Sequence, residues 1–285
     1  MGKKLYPGIM AGEEKKLQEK IKYVDLLLEV LDARLPLTSR NNRLQRLLAG
    51  KKKLVILNKA DLADERITDR WLDFFTGLNE SVLAFNANSK ADLKNFHQRL
   101  NSFRPTNLKF KRPLRLMVAG IPNVGKSSII NRLTRRAPAK TGAAPGITKG
   151  IQWIRLQGGW EMLDTPGLLS PYLKDEDSLL ALAVIGSVNL KSLEIENMAA
   201  WLLKRISLQE KKLQLLLDYY ALKDADLLHN HEKLLVEVGR VRGCFKKGSQ
   251  VDTLKAARII LNDFRKGELG RISLEEPEND AKFQS

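Results

Sequence analysis

Gly120-Ile121-Pro122-Asn123-Val124-Gly125-Lys126-Ser127 fits the pattern G-x-x-x-x-G-K-S and sits between an apolar run and a helical one. In that setting such a loop wraps phosphate. Its glycines let the backbone at Asn123, Val124 and Gly125 curl around phosphate oxygens. The helix that continues through Ser127 and Ser128 adds partial positive charge at its N-terminus. Lys126 would neutralise the β- and γ-phosphates, and the Ser127 hydroxyl would ligate Mg²⁺. Asp164-Thr165-Pro166-Gly167 closes a later apolar run. Asp164 can hold the same Mg²⁺, often through water, and the Gly167 N–H can reach the γ-phosphate. Between them lies Pro145-Gly146-Ile147-Thr148. Thr148 is the expected second Mg²⁺ ligand, ordered when a γ-phosphate is present. Thr141 competes for that role but lies farther from the strand that begins near Ile151. Lys126, Thr148 and Gly167 are the residues assigned to the chemistry.

Asn58-Lys59-Ala60-Asp61 points to the base. The Asp61 carboxylate can accept from guanine N1–H and its 2-amino group. Adenine offers no such donor pair, and an unpaired carboxylate in a closed site is costly. Asn58 can tie this loop to the phosphate loop, and the Lys59 stem can lie over the base. Asn86-Ala87-Asn88-Ser89-Lys90 is a weaker companion, in which Asn86 and Ala87 can present an N–H to guanine O6. Together the loops read as a site for guanosine triphosphate. A P-loop kinase or ATPase would give Asp61 no task.

The elements that must hold these loops are legible as periodicity. Apolar runs at 24–31, 53–57, 82–85 and 114–119 each end in loop chemistry, and helical patterns fall at 41–49, 66–76, 91–103 and 126–135. Alternation of this kind predicts a mostly parallel sheet covered on both faces. Runs at 151–156 and 160–163 predict a hairpin. After about 175 the strand signals fade, and helices are expected near 176–187, 192–205, 208–221, 225–237 and 251–266, with a polar, frayed end from Glu275. His97 reads as a surface helix residue. His229 and His231 stand two apart on a helix and face different sides. Cys244 and the four tryptophans read as packing residues.

The 285 residues carry 49 Lys+Arg against 33 Asp+Glu, a formal charge of +16. The basic residues cluster, at 51–53, 109–112, 132–140 and 240–247 among other places, which points to a polyanion. No RNP-type aromatic motif, zinc-finger spacing or KH loop is present, so phosphate-backbone contact is favoured over base-specific readout, and DNA sequence readout is not expected. No apolar run approaches the roughly 20 residues of a membrane span. The N-terminus lacks a signal-peptide core, and a single cysteine precludes an intrachain disulfide. A cytoplasmic protein is expected.

With these residues in view the chain resembles the circularly permuted GTPases of ribosome assembly, and most closely the family of ribosome biogenesis GTPase A. In an ordinary GTPase the phosphate loop precedes the guanine loop; here it comes after. The resemblance covers nearly the whole chain. It is carried by Tyr6-Pro7-Gly8, Asp32-Ala33-Arg34-Leu35-Pro36, Ser39-Arg40-Asn41, the loops named above and Arg242-Gly243-Cys244. It implies an α/β fold, a circularly permuted P-loop GTPase domain over 1–175 with an N-terminal arm over 1–10, followed by a smaller all-α, RNA-binding domain over 176–285. It further implies GTP/GDP as ligand, Mg²⁺, and K⁺ held beside the nucleotide by Asn123. The expected activity is slow GTP hydrolysis, stimulated by K⁺ and by the ribosomal particle, in a monomer that docks on rRNA of a late large-subunit precursor. Two positions depart from common GTPase patterns. Ile9 stands where the family often has histidine, and Leu168 stands where many GTPases carry a water-orienting glutamine. These departures keep open a GTP-gated RNA scaffold with negligible hydrolysis. The switch loops near 139–149 and 164–175 run into the C-terminal helices, so γ-phosphate contacts are expected to set the orientation of those helices.

Overall fold

The computed structural model describes residues 19, 21–41, 46, 50–104, 112–134, 153–156, 158–163, 175–189, 195–222 and 230–277. Strands β1 (Leu26–Asp32), β2 (Lys52–Asn58), β3 (Ser81–Phe85), β4 (Leu114–Ala119), β5 (Trp153–Leu156) and β6 (Trp160–Leu163) form one six-stranded sheet in the order β3-β2-β1-β4-β6-β5. All neighbours run parallel except β5 and β6, which form the predicted hairpin with Leu156 opposite Trp160. Each strand begins and ends within two residues of its predicted run.

Two-residue alternation explains why helices cover both faces. From β1, Leu26, Leu28 and Val30 pack on one face with Phe96 and Leu100 of α2 (Lys90–Ser102) and Ile129 and Leu133 of α3 (Lys126–Leu133). Leu31 packs on the other face with Trp71 and Phe75 of α1 (Glu65–Gly77). Glu29 falls on that second face and is buried. Arg40 meets it at 2.9 Å and Lys53 at 3.6 Å, and Glu80 joins both cations at 2.7 Å. A charge inside a sheet is tolerable only when paired in this way. Caps fix where the helices start. The Asp64 side chain accepts from Ile67 N at 3.0 Å, and Ser89 Oγ accepts from Asp92 N at 3.1 Å.

Helices α4 (Glu176–Val184), α5 (Ile195–Ser207), α6 (Glu210–Tyr220), α7 (His231–Val241) and α8 (Thr253–Lys266) come next, with α5 packed against the other four. The apolar cluster of the sheet continues into them without a break. The fourth of these helices departs from expectation. Asn230 is extended and its side chain accepts from Lys233 N, so α7 starts at His231 and runs on to Val241, not over 225–237. Local competition from an asparagine side chain is a cap signal that helical periodicity does not register. The predicted helix over 41–49 falls mostly outside the described residues, as does His229. Among the described residues no helix is long and apolar enough to cross a membrane.

The chain after α8 does not fray at Glu275 as expected. It runs back along the α/β part as a strap. Ile272 N donates to Leu62 O at 3.0 Å and Leu274 N to Arg34 O at 2.9 Å. The Glu275 carboxylate accepts from Leu37 N at 2.8 Å and from Thr38 Oγ1 at 3.0 Å. Burial raises its pKa, and the bonds from Thr38 and Leu37 work against that rise. Trp71 Nε1 donates to Glu275 O at 3.2 Å. Trp71→Ala empties a fully buried site and cuts this tie, and it should cost about 3–5 kcal/mol in urea unfolding. Trp71→Phe keeps most of the packing and should cost markedly less.

Candidate nucleotide site

Asp32, Asn58, Phe85 and Ala119 are the last residues of β1 to β4, so parallel pairing brings the loops beyond them to one edge of the sheet. From β1 the sheet grows through β2 and β3 on one side and through β4 on the other. Ligands of open α/β sheets bind in the crevice made by such a reversal. The guanine loop leaves β2, its companion leaves β3, and the phosphate loop leaves β4.

Direct bonds join the first and third of these loops. Asn58 Nδ2 donates to Val124 O at 2.7 Å. A Cβ on Gly125 would lie 2.0 Å from that nitrogen, and the Gly125 φ is +98°, so only glycine fits. Lys59 holds a left-handed backbone, φ 59°, and its ammonium donates to Asn123 O at 2.7 Å and to Asp32 Oδ2 at 3.0 Å. Arg34 Nε and Nη2 donate to the same Asp32 carboxylate at 2.9 and 2.8 Å. Burial alone would raise the Asp32 pKa. The Arg34 guanidinium and then the Lys59 ammonium outweigh it and hold the group at about 2. Arg34 also donates through Nη1 to Phe264 O at 3.5 Å and lies 4.9 Å over the Phe264 ring.

These loops enclose a cavity of about 500 Å³, lined by Asn58, Asp61, Asn86, Ala87, Gly125 and Ser128 among others. That volume suits a nucleotide-sized ligand. Asp61 is exposed on the cavity wall and its carboxylate makes no hydrogen bond with described residues, so a base bound there would have to close it from water for the carboxylate to select. The companion loop is fastened from within: Asn88 N donates to Asn86 Oδ1 at 2.8 Å and Asn86 N to Asp92 Oδ2 at 2.7 Å. Arg132 Nη2 reaches across from α3 to Asn88 Oδ1 at 3.2 Å. Asn58 Oδ1 is buried without a donor among the described residues, and a bound molecule or water supplying one would relieve that cost.

At the phosphate end Lys126 Nζ donates to Ile121 O at 2.6 Å, and desolvation lowers its pKa. Ser127 is exposed, and its hydroxyl makes no bond to described residues, which fits a ligand position for Mg²⁺. Asn123, φ 60°, donates through Nδ2 to Gly186 O at 2.5 Å, and Ser187 Oγ donates to Pro122 O at 2.7 Å. The phosphate loop is thus backed by the chain leaving α4. Thr148, Asp164 and Gly167 lie outside the described residues, as do Thr141, Ile9 and Leu168. Among the described residues no three His, Cys, Asp or Glu side chains gather as a metal site.

Sequence reasoning named the loops but gave no part in this site to Asp32 and Arg34, which carry the family resemblance, to Arg132, which belongs to a basic cluster, or to Lys266. An acidic residue ending the first apolar run was the signal for Asp32. His97 is not a plain surface residue. Its ring meets Trp160 edge-on at 5.1 Å, and desolvation lowers its pKa. Cys244 is buried, as expected.

Residues 115–230 match the family model described as "50S ribosome-binding GTPase". The match opens in β4, so the phosphate loop lies inside it and Asn58 to Asp61 lie before it. Ribosome biogenesis GTPase A of Bacillus cereus is 34% identical over 280 residues, spanning 96% of this chain and 93% of that protein. This chain belongs to the ribosome biogenesis GTPase A family. The GDP-bound structure of YlqF superimposes with a TM-score of 0.67 at 26% identity, covering 93% of this chain and 100% of that one. GNP-bound YlqF from T. maritima gives 0.62 at 26% identity, covering 94% and 99%. The six-stranded sheet with its loops at one edge is the permuted P-loop GTPase fold of this family.

Asp32→Asn leaves Arg34 and Lys59 facing a neutral amide and should cost about 3 kcal/mol or more in urea unfolding. In the parent protein the folded pKa of Asp32 lies below the ordinary value of about 3.9. Its contribution is therefore full above that ordinary value and fades as pH falls toward 2. Stability measured from pH 5 down to pH 2 should fall less steeply in Asp32→Asn than in the parent.

Proposed function

We propose that this chain binds GTP between the phosphate loop and the guanine loop, hydrolyses it, and uses that cycle in assembly of the large ribosomal subunit. The observation that carries the nucleotide reading is the pair of bonds from Asn58 and Lys59 to the backbone of Val124 and Asn123. Those bonds support the reading because they join the loop that carries Asp61 to the loop that carries Gly125 and Ser128, and all three residues line one cavity. Membership of the family supports the ribosomal role, and the charge of +16 supports contact with rRNA.

Asp61 reads guanine through N1–H and the 2-amino group, with Asn86 and Ala87 at O6. The backbone of Asn123, Val124 and Gly125, with Ser128 at the helix start, takes the phosphates. Lys126 leaves Ile121 O for the β- and γ-phosphate oxygens, a partner that restores the charge its desolvation disfavours. Ser127, with Thr148 and Asp164, holds Mg²⁺, which neutralises charge on the phosphates when bound. Gly167 meets the γ-phosphate. Asn123, whose Nδ2 is committed to Gly186 O, keeps Oδ1 for K⁺. With Ile9 and Leu168 in place of polar side chains, intrinsic hydrolysis is slow and rises with K⁺ and the ribosomal particle. The GTPase domain spans 1–175, and residues 176–285 supply the RNA-binding helices. The protein acts as a cytoplasmic monomer on a late precursor of the large subunit.

Asp61→Asn should turn preference from GTP toward XTP by more than tenfold in equilibrium binding. Unchanged preference would remove the guanine assignment. Co-sedimentation with large-subunit particles should be stronger with a non-hydrolysable GTP analogue than with GDP. Equal sedimentation in both states would count against a GTP-timed assembly role.

A further inference from the structure

Lys266, the last residue of α8, lines the same cavity as Asn58, Asp61 and Ala87. It belongs to the helical part of the chain, not to the sheet that carries the loops. A basic residue in the last turn of a helix is ordinarily explained by the helix dipole. The neighbouring Arg265 has a clear structural task, since its guanidinium donates to Val184 O and Ala183 O at 2.7 Å and caps α4. Lys266 has none. Its side chain is exposed and makes no hydrogen bond or ion pair with described residues.

The chain beyond Lys266 fixes where that residue stands. Gly267 is left-handed, φ +81°, and a Cβ there would lie 2.6 Å from Leu62 Cδ2, so the end of α8 touches the residue next to Asp61. The strap then bonds to that turn. Ile272 N donates to Leu62 O at 3.0 Å, Arg271 Nε to Ala63 O at 2.7 Å, and Arg271 Nη2 to Ala60 O at 3.1 Å. Two of these bonds reach the short helical turn Ala60–Leu62, of which Asp61 is the middle residue, the third reaches Ala63 just after it, and Gly267 abuts Leu62, so the strap and the end of α8 are held beside that turn. A lysine whose backbone is held beside the cavity by that much structure, and whose side chain has no partner among the described residues, is available to a bound ligand.

We infer that the helical part completes the guanine pocket: Lys266 donates to the nucleoside half of the bound nucleotide, and the 267–274 strap couples that contact to the placement of the helices. The inference rests on the guanine-nucleotide reading of this cavity. Asp61 would take guanine's donors and the companion loop O6, and the acceptors that remain on the base edge and the ribose suit an ammonium. The coupling is reciprocal: if the helices help hold the nucleotide, the nucleotide helps hold the helices.

The test is calorimetric binding of GDP and of GMPPNP to the full chain. Lys266→Ala should weaken both ligands by the same factor, about tenfold for loss of one charge-assisted bond. Lys266→Arg should restore most of it, and the melting temperature without nucleotide should not move. GDP should slow amide exchange at Ile272 and Leu274 in the parent protein. Unchanged affinity in Lys266→Ala, or a loss confined to GMPPNP that would place the ammonium at the γ-phosphate, overturns the assignment of Lys266. Exchange at Ile272 and Leu274 that ignores GDP overturns the coupling. A parent protein that binds neither ligand overturns the nucleotide reading itself, and is thereby distinguishable from both.

Discussion

A buried carboxylate organises this molecule. Asp32 ends β1, has no exposed surface, and faces two cations. Neither cation stops there. Lys59 passes from Asp32 to the phosphate-loop carbonyl of Asn123, and Arg34 passes from Asp32 to the last turn of α8. Three segments far apart in sequence are thus held to one charge. A fully desolvated carboxylate is intolerable alone and stable only with its bonds complete. The geometry it imposes is therefore close to all-or-none. If Lys59 swings away, Asp32 loses part of its compensation, and the link from guanine loop to phosphate loop is left to the Asn58–Val124 bond alone.

Permutation costs such a site little. Its loops all leave the carboxyl ends of parallel strands, and their meeting depends on strand order in the sheet, not on order along the chain. Asn58 and Val124 meet across β1 although 66 residues separate them, and the contact is indifferent to which comes first. What permutation does change is what each loop is spliced to. The chain continues after β6 into helices, and the end of those helices returns to the guanine loop.

The sequence made the sheet readable because its strands are apolar runs cut off by loop chemistry, and it made the loops readable because glycine and lysine spacing around phosphate has few alternatives. Three things escaped it for physical reasons. Asp32 was legible as an acidic residue ending an apolar run and as part of the motif behind the family resemblance, but nothing local reveals that it is buried. Lys266 drew no assignment, because its neighbours in the cavity, from Asn58 to Arg132, lie far upstream. Glu275 looked like part of a frayed tail, because its bonds to Leu37 and Thr38 are made across the fold. For Lys266 and Glu275 the deciding neighbours are distant in sequence, whereas for Asp32 the first partner, Arg34, lies two residues on and only Lys59 and the burial come from across the fold. The Asn230 cap is the opposite case. It was local and visible, and the apolar pattern running through it was given too much weight.

The switch loops were expected to carry nucleotide state to the helices. The described contacts add two routes that bypass them. On the base side the strap grips the turn containing Asp61. On the phosphate side Asn123 and Pro122 are bonded to Gly186 and Ser187, at the exit of α4. Arg265 of α8 in turn caps α4, so both routes end on the same helix. A body gripped at two points on opposite sides of a cavity resists rotation more than one tethered at a single point. It also senses any change in the spacing of those points. The base-side grip is available to either GDP or GTP, since it involves no γ-phosphate. The phosphate-side grip is made by the loop that must adjust when Lys126 leaves Ile121 O for phosphate. A ligand shifts an equilibrium only through contacts that differ between its states, and a β-phosphate would meet Lys126 in GDP as in GTP, so discrimination by the helices is left to groups that meet the γ-phosphate, acting on a body that these two grips already hold.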